Sequence, residues 1–404
     1  MRSPRFLPRI VVLTLAVMPV GPIDVEAQFF EGFDAASVPT DPNGVEGWSF
    51  LTGDGQATMD FRQGGQGYAS ILVDATTDRR GIWWALVQRR VSDHMDLSVL
   101  RKPGHEFRIE VRIRVSHAPR RVNLQVLTQR TTDYHSHLME FDIPDTENWH
   151  TLSMTTHGFD AGPGDSVIGH IALMDWGLEK YRVDLDYLKV DVVEVASAGP
   201  DQGAPVPYHP KVPDRRTFRQ MVKVAQDTII DVANPEVNLN NWYVRDGEKR
   251  KNLLTVNGTQ YAILRWDLRA FAGRQVADHG LLEVTTHSVL RTSDDLKDFG
   301  IVRVVEILGG DPAWNQATVT ADSLRRGEPL ERVLNSQMII DWPVTEGDGG
   351  KTYLTISKPV LQRMIDGRTL GIAVKPLGSI SASLYAMENE GGRLGARLLF
   401  NVKE

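Results

Sequence analysis

Tyr261-Ala262-Ile263-Leu264-Arg265-Trp266-Asp267-Leu268 is the stretch whose reading decides the fold. Successive side chains of a strand alternate between faces, so Tyr261, Ile263, Arg265 and Asp267 share one side while Ala262, Leu264, Trp266 and Leu268 share the other. The second set is apolar throughout, which predicts a strand with one face in a sheet core. Val276 to Val284 continues the pattern. In the first half of the chain, Phe107–Val115, Val122–Thr128, Leu138–Ile143, Val167–Met174 and Val183–Val192 alternate in the same way, with turn residues between them and little helical periodicity. The expectation is an all-β protein of two antiparallel, jelly-roll-like sandwiches. Lys358–Ile365 is the best short helix, with Pro359 in its first turn and Gly367 after its end.

Four separated segments carry a resemblance. Gln226-Asp227-Thr228-Ile229-Ile230-Asp231 with Asn238 and Asn240, then Tyr261 to Leu268, then Ala313-Trp314-Asn315-Gln316-Ala317-Thr318-Val319-Thr320, and last Ser383 to Glu390 occur in the order found in DNRLRE-type domains. The region from about 222 to 404 resembles that family. Trp266 stands where the family more often has Phe, and the literal D-N-R-L-R-E string is absent. The resemblance implies a β-sandwich appended to secreted bacterial enzymes, with some relatives binding carbohydrate. Residues 28–195 resemble jelly-roll carbohydrate-binding modules more loosely, through Phe29 to Asp34, Gly47-Trp48-Ser49 and Tyr181 to Val190. That resemblance implies a structural calcium at Glu31, Asp34 and Asp186, because carboxylate oxygens suit this ion. The alternative is that these are solvated strand-end carboxylates.

Between the halves, Ala196 to Pro213 contains five prolines and two glycines, a density that resists both helix and central strand. The expected division is a domain at 28–195, a linker at 196–221 and a domain at 222–404. Ahead of these, Arg2, Arg5 and Arg9 precede the apolar run Ile10 to Val20 and Val25-Glu26-Ala27. This predicts a signal peptide over 1–27, with the mature chain starting at Gln28 in a secreted or periplasmic location. No later run approaches the roughly 20 apolar residues of a membrane span.

The chain has no cysteine, which excludes disulfides and thiolate metal sites, and a formal net charge of −7. Without a basic tract or a DNA-reading spacing, nucleic acid is not an expected partner. Residues 28–195 hold 16 Lys and Arg against 25 Asp and Glu, whereas 222–404 hold 22 against 23. An acidic first domain leans against an acidic polysaccharide, and the arginines in it, including Arg120 and Arg121, lean the other way.

The expected ligand is a polysaccharide. In the first half, Trp83 and Trp84, flanked by Arg79 and Arg80, must point to opposite faces of a strand, and one is free to stack on a pyranose ring. Trp149 and Trp176 are further platforms, each alternatively packed under a loop. In the second half, Trp242 and Tyr243 are equally suited to surface stacking and to core packing. Gln129 to His137 is the sharpest polar constellation. If extended, it places His135 and His137 on one face and Tyr134 and Ser136 on the other. A lyase would use Arg130, Asn123 and Gln125 to neutralise a uronate, and Tyr134, His135 or His137 to move protons. The H-x-H pair would also suit a metal, or a surface that hydrogen-bonds sugar. Hydrolysis needs two facing carboxyls; Glu140 with Asp142 and Asp184 with Asp186 are same-face pairs. The leading expectation is a non-catalytic polysaccharide-binding protein, accessory to degradation. A β-eliminating lyase is the rival, and a surface structural or adhesion protein the third class.

Overall fold

The computed structural model describes residues 28–33, 40–41, 44–45, 47–52, 58–65, 67–77, 84–174, 179–206, 211–291 and 300–404. The predicted signal peptide, Asp34, Arg79, Arg80, Trp83 and Trp176 lie outside these residues, and Trp84 is described only in its backbone.

The chain forms two antiparallel β-sandwiches. The first is built from β1 (Gln28–Glu31), β2 (Trp48–Thr52), β3 (Thr58–Gly65), β4 (Tyr68–Asp74), β5 (Trp84–Arg90) and β6 (His105–Val115). It is completed by β7 (Arg120–Thr128), β8 (Leu138–Ile143), β9 (His150–Thr155), β10 (Val167–Met174), β11 (Lys180–Glu194) and β12 (Pro205–Val206). One sheet runs β9-β6-β11-β4-β3 with β1 on β11, and the other runs β12-β8-β7-β10-β5-β2. Ile109, Val111 and Ile113 of β6 meet Val122, Leu124 and Val126 of β7 in the space between them. This is the alternation that the sequence displays.

The second sandwich contains β13 (Gln220–Lys223), β14 (Gln226–Asp231), β15 (Tyr243–Asp246), β16 (Lys249–Val256), β17 (Gln260–Arg265) and β18 (Gly280–Arg291). Next come β19 (Ile301–Ile307), β20 (Leu334–Trp342), β21 (Lys351–Ile356), β22 (Gly371–Leu377), β23 (Ile380–Tyr385) and β24 (Arg397–Phe400). Its sheets run β13-β24-β18-β23-β16-β15, with β21 on β18, and β14-β17-β22-β19-β20. Two short helices, α1 (Ala321–Arg325) and α2 (Leu330–Val333), precede β20, and the helix α3 (Lys358–Ile365) follows β21 with Pro359 at its start, where the missing N–H costs nothing. Among the described residues no helix is long and apolar enough to cross a membrane.

Tyr261 to Leu268 behaves as its alternation predicts on one face and departs on the other. Ala262, Leu264, Trp266 and Leu268 all enter the sandwich core, although the strand itself stops at Arg265. Ile263 on the opposite face is also fully buried, beneath Trp314, Val319, Leu324 and Val333. The segment carrying Trp314 folds back over the outside of this sheet. Asn238 Nδ2 donates to the carbonyls of Gln316 and Val319 at 3.1 and 2.6 Å, and Trp314 Nε1 donates to Leu370 O at 3.1 Å. Arg265 donates to Trp314 O at 2.6 Å and stacks 4.6 Å from its ring.

The first part of the segment expected to link the domains is laid against the first sandwich. Arg108, buried, donates to the carbonyls of Ala198, Gly199 and Pro200 at 2.9, 3.2 and 3.0 Å, and β12 pairs with β8. Gly203 has φ of +104°, and a Cβ there would stand 2.7 Å from the Phe141 ring, so this position requires glycine.

A buried ion triad joins the two sandwiches. Arg363 of α3 donates to Asp142 of β8 at 2.6 and 3.0 Å and to Glu306 of β19 at 2.9 and 2.8 Å, and Thr369 Oγ1 donates to Glu306 at 2.7 Å. Beside it, Arg121 donates to Glu140 at 3.1 Å and across to Ile339 O at 2.8 Å. Burial works against the charge on Arg363, but its two carboxylates outweigh it and hold the guanidinium protonated. Arg363→Met leaves Asp142 and Glu306 buried without their cation, and the expected loss is about 3–5 kcal/mol, read by urea denaturation. A loss below about 1 kcal/mol would show that the triad is dispensable.

Candidate functional site

The segments of the second half that lie far apart in sequence interlock at one end of their sandwich. Asp227 N–H donates to Gln316 Oε1 at 3.1 Å, Gln316 N–H donates to Gln226 Oε1 at 3.0 Å, and Met387 N–H donates to Asp227 Oδ2 at 2.8 Å. Asp227 thereby ties the first strand of one sheet to the end of β23 in the other. Its second oxygen is buried without a partner. Burial, and then the charge of Glu388, push its carboxyl up from 3.8 to about 7, against the pull of the Met387 N–H. Asp227 is buried at this junction, while Gln226, Gln316 and Met387 are half-buried and Glu388 is exposed.

The surface is different at the edge hairpin β15–β16. Trp242 is 50% exposed, and it is the only tryptophan classed as exposed among those whose side chains are described. Its backbone is fixed on both sides: its N–H donates to Leu239 O at 3.1 Å and its carbonyl accepts from Leu253 N–H at 2.9 Å. Val244 pairs with Lys251, and Leu253 pairs with Tyr385 of β23. This register puts Trp242, Lys251, Leu253 and Tyr385 on the outer face of the sheet, opposite the core residue Leu254.

Polar groups gather on the same face as the indole. Tyr385 Oη donates to Asp348 at 2.6 Å, Lys251 Nζ donates to Asp348 at 3.2 Å, and His287 Nδ1 lies 3.4 Å from the same carboxylate. The Tyr385 hydroxyl, with Lys251 and His287, holds the Asp348 carboxyl down at about 2 despite partial burial. Asp348 therefore stays an ionised acceptor, and Lys251 a cationic donor, through the neutral range. A flat aromatic ring next to fixed donors and acceptors is the surface a pyranose needs: its C–H face stacks and its hydroxyls hydrogen-bond.

The opposite face of the hairpin is also polar and aromatic. Tyr243 lies with Arg245, Arg250 and Asn252, and the Arg250 guanidinium is 4.1 Å from the Tyr243 ring centre. Of the two residues expected to serve either stacking or packing, both are exposed, and on opposite sides.

The residues nominated in the first sandwich are dispersed. Asn123 is 0% exposed and donates to Glu140 at 3.3 Å; Gln125 is also buried, and its amide donates to Tyr134 O. They lie under other groups because the second sandwich and the 129–137 segment cover this sheet face. Arg130 is held by Asp160 and Asp165, both at 2.9 Å, and it draws the Asp165 carboxyl down to about 2. Tyr134 is 58% exposed. Residues 134–137 form a turn, not an extended strand, so His135 and His137 do not share a face by alternation. His135 sits by Asp133, while His137 packs edge-on to Phe159 at 5.0 Å with Nδ1 buried and its pKa lowered by burial. These placements do not assemble the proton-transfer and carboxylate-neutralising set of a lyase.

Both same-face acid pairs are engaged by arginines. Glu140 and Asp142 are buried on Arg121 and Arg363, and Asp184 and Asp186 pair with Arg114 and Arg112. Glu31 accepts from Trp48 Nε1 at 2.9 Å and from Arg89 at 3.1 Å, so two of the three residues nominated for calcium already have cationic partners. Among the described residues, no group of three or more His, Cys, Asp or Glu is placed to hold a metal ion. Trp149 follows the Asp145 turn as expected and packs edge-on to Tyr68 at 5.7 Å, with Arg114 4.7 Å from its ring.

No protein-family model matches the chain, and no curated protein matches it in sequence. Among solved structures, a family 11 carbohydrate-binding module from Clostridium thermocellum, in complex with a β-1,3-1,4-mixed-linked tetrasaccharide, is 14% identical. It covers 38% of this chain and 94% of its own, with a TM-score of 0.24. The N-terminal tandem of two family 22 carbohydrate-binding modules from Paenibacillus barcinonensis Xyn10C is 11% identical, covering 94% of this chain and 98% of its own with a TM-score of 0.29. At scores this low the likenesses assign no ligand to this chain.

Asp227 yields a pH prediction. A carboxyl raised in the folded state favours folding fully below the unfolded value of 3.8, and that contribution is lost as pH rises through about 7. Asp227→Asn keeps the acceptor for the Met387 N–H and removes the titration. The fall in Tm between about pH 5 and pH 8 is therefore expected to shrink in the variant. An unchanged difference in differential scanning calorimetry would contradict the assignment.

Proposed function

We propose that this protein is an exported, non-catalytic polysaccharide-binding protein, accessory to polysaccharide degradation. The observation that carries the reading is Trp242, exposed at 50% with its backbone hydrogen-bonded on both sides, on the same sheet face as the Lys251–Asp348–Tyr385–His287 cluster. Leaving an indole in water is unfavourable, and a sugar face that covers it recovers this energy. Because the backbone that carries the ring is already hydrogen-bonded on both sides, no main-chain ordering is spent on presenting it. Asp348 and Lys251 then select the hydroxyl pattern. Export rests on the charged-then-apolar pattern of the first 27 residues.

The test is affinity electrophoresis in gels cast with a panel of neutral and uronate-bearing polysaccharides, together with mass analysis of soluble products. At least one polymer is expected to retard the protein without releasing oligosaccharides. Trp242→Ala is expected to weaken that binding by about 1–2 kcal/mol, roughly five- to thirty-fold. Retardation that survives Trp242→Ala would remove the site from this surface, and new oligosaccharides would make the protein an enzyme.

A further inference from the structure

The other face of the same hairpin specifies the class of sugar. Arg245 pairs directly opposite Arg250 in the β15–β16 register. Like charges facing each other across an antiparallel pair repel, so an unassisted sheet gains by avoiding this arrangement. Here it sits around an aromatic ring, with Arg250 at 4.1 Å and Arg245 at 6.0 Å from the centre of Tyr243. Neither arginine has a carboxylate partner among the described residues. The acid beside them, Asp246, is taken by Lys251 at 3.1 Å, while Glu248 and Lys249 lie at the hairpin turn.

Arg250 is nevertheless positioned. Its Nε donates to Asn252 Oδ1 at 3.1 Å and one terminal nitrogen donates to Asn241 O at 3.1 Å. Asn252 is itself buried and its backbone is locked to Asn389, the carbonyl accepting from Asn389 Nδ2 at 2.6 Å and the N–H donating to Asn389 Oδ1 at 3.1 Å, while its side-chain Nδ2 donates to Asn241 Oδ1 at 3.3 Å. A guanidinium anchored at one end by a buried amide, with its remaining N–H groups open, is a fork awaiting a planar anion. Tyr243 remains 40% exposed and offers ring surface for a sugar.

We propose that the Tyr243–Arg245–Arg250 face binds the acidic groups of an anionic polysaccharide whose neighbouring residues stack on Trp242. This rests on the glycan-binding reading and narrows it to polymers carrying carboxylate or sulfate. The anion removes the repulsion that the hairpin bears alone, and the edge position lets an extended chain wrap from one face to the other.

The experiment compares the full chain in affinity gels containing polygalacturonate, dextran sulfate, neutral xylan or single-stranded poly-dT, at low and high NaCl. An anionic glycan is expected to bind at least about tenfold more tightly than xylan at low salt, and to weaken steeply as salt rises. The double substitution Arg245→Gln and Arg250→Gln should abolish this preference while leaving the xylan affinity unchanged. Arg245→Gln alone should raise Tm without ligand, as relief of like-charge repulsion requires. Preference for polygalacturonate identifies carboxylate as the recognised group, and preference for dextran sulfate identifies sulfate; either supports the proposal. It is overturned if xylan binds as tightly, if the preference survives the double substitution, or if poly-dT binds best. Xylan retardation that depends on Trp242 without any anionic preference would leave the glycan-binding reading standing, whereas no retardation by any glycan would remove both.

Discussion

The geometry of the whole molecule depends on one guanidinium. Arg363 reaches from a short helix of the second sandwich to Asp142 on the first, and it is shared with Glu306. Two carboxylates and one arginine leave this buried cluster with net negative charge. Its acceptors are satisfied by Thr369 and by the paired guanidinium nitrogens, so that desolvation is offset by four short charged contacts. Directional bonds of this kind fix orientation in a way an apolar contact does not. With Arg121 bonded to Ile339 O nearby, the second sandwich is seated in one register on the outer sheet face of the first.

That seating explains where sequence reasoning worked. Strands such as Leu138–Ile143 and Val167–Met174 were legible to the residue because their alternation is local, and α3 because proline and glycine bracket it. The outer face of β7 and β8 was misleading for the same reason. Asn123 and Gln125 read as groups that reach a uronate and Glu140 with Asp142 as a same-face acid pair, whereas the docking of the second domain and the fold of the 129–137 segment make them buried partners of other protein groups. Ile263 is a milder case, since a segment about fifty residues away covers it.

The candidate site was half legible. Trp242 and Tyr243 stood out by residue type, but nothing in their spacing told exposure from burial. Lys251, His287, Asp348 and Tyr385 come from three strands and a loop, so no motif joins them in the sequence. Net charge speaks only to a whole domain, whereas the facing arginines of the hairpin follow from a single cross-strand register.

The Pro-rich segment also matters for covalent continuity. Its residues 198–206 are part of the first sandwich, through the Arg108 carbonyl contacts and the β12–β8 pairing, while Arg219 N–H is already bonded to Asn401 Oδ1 at 2.7 Å on the second. The chain therefore crosses from one sandwich to the other between Val206 and Arg219, and the buried triad is a second, non-covalent connection between them. A protease that cut this crossing would sever the chain without separating its halves, and the nicked protein would run as one particle under native conditions and as two fragments only after denaturation.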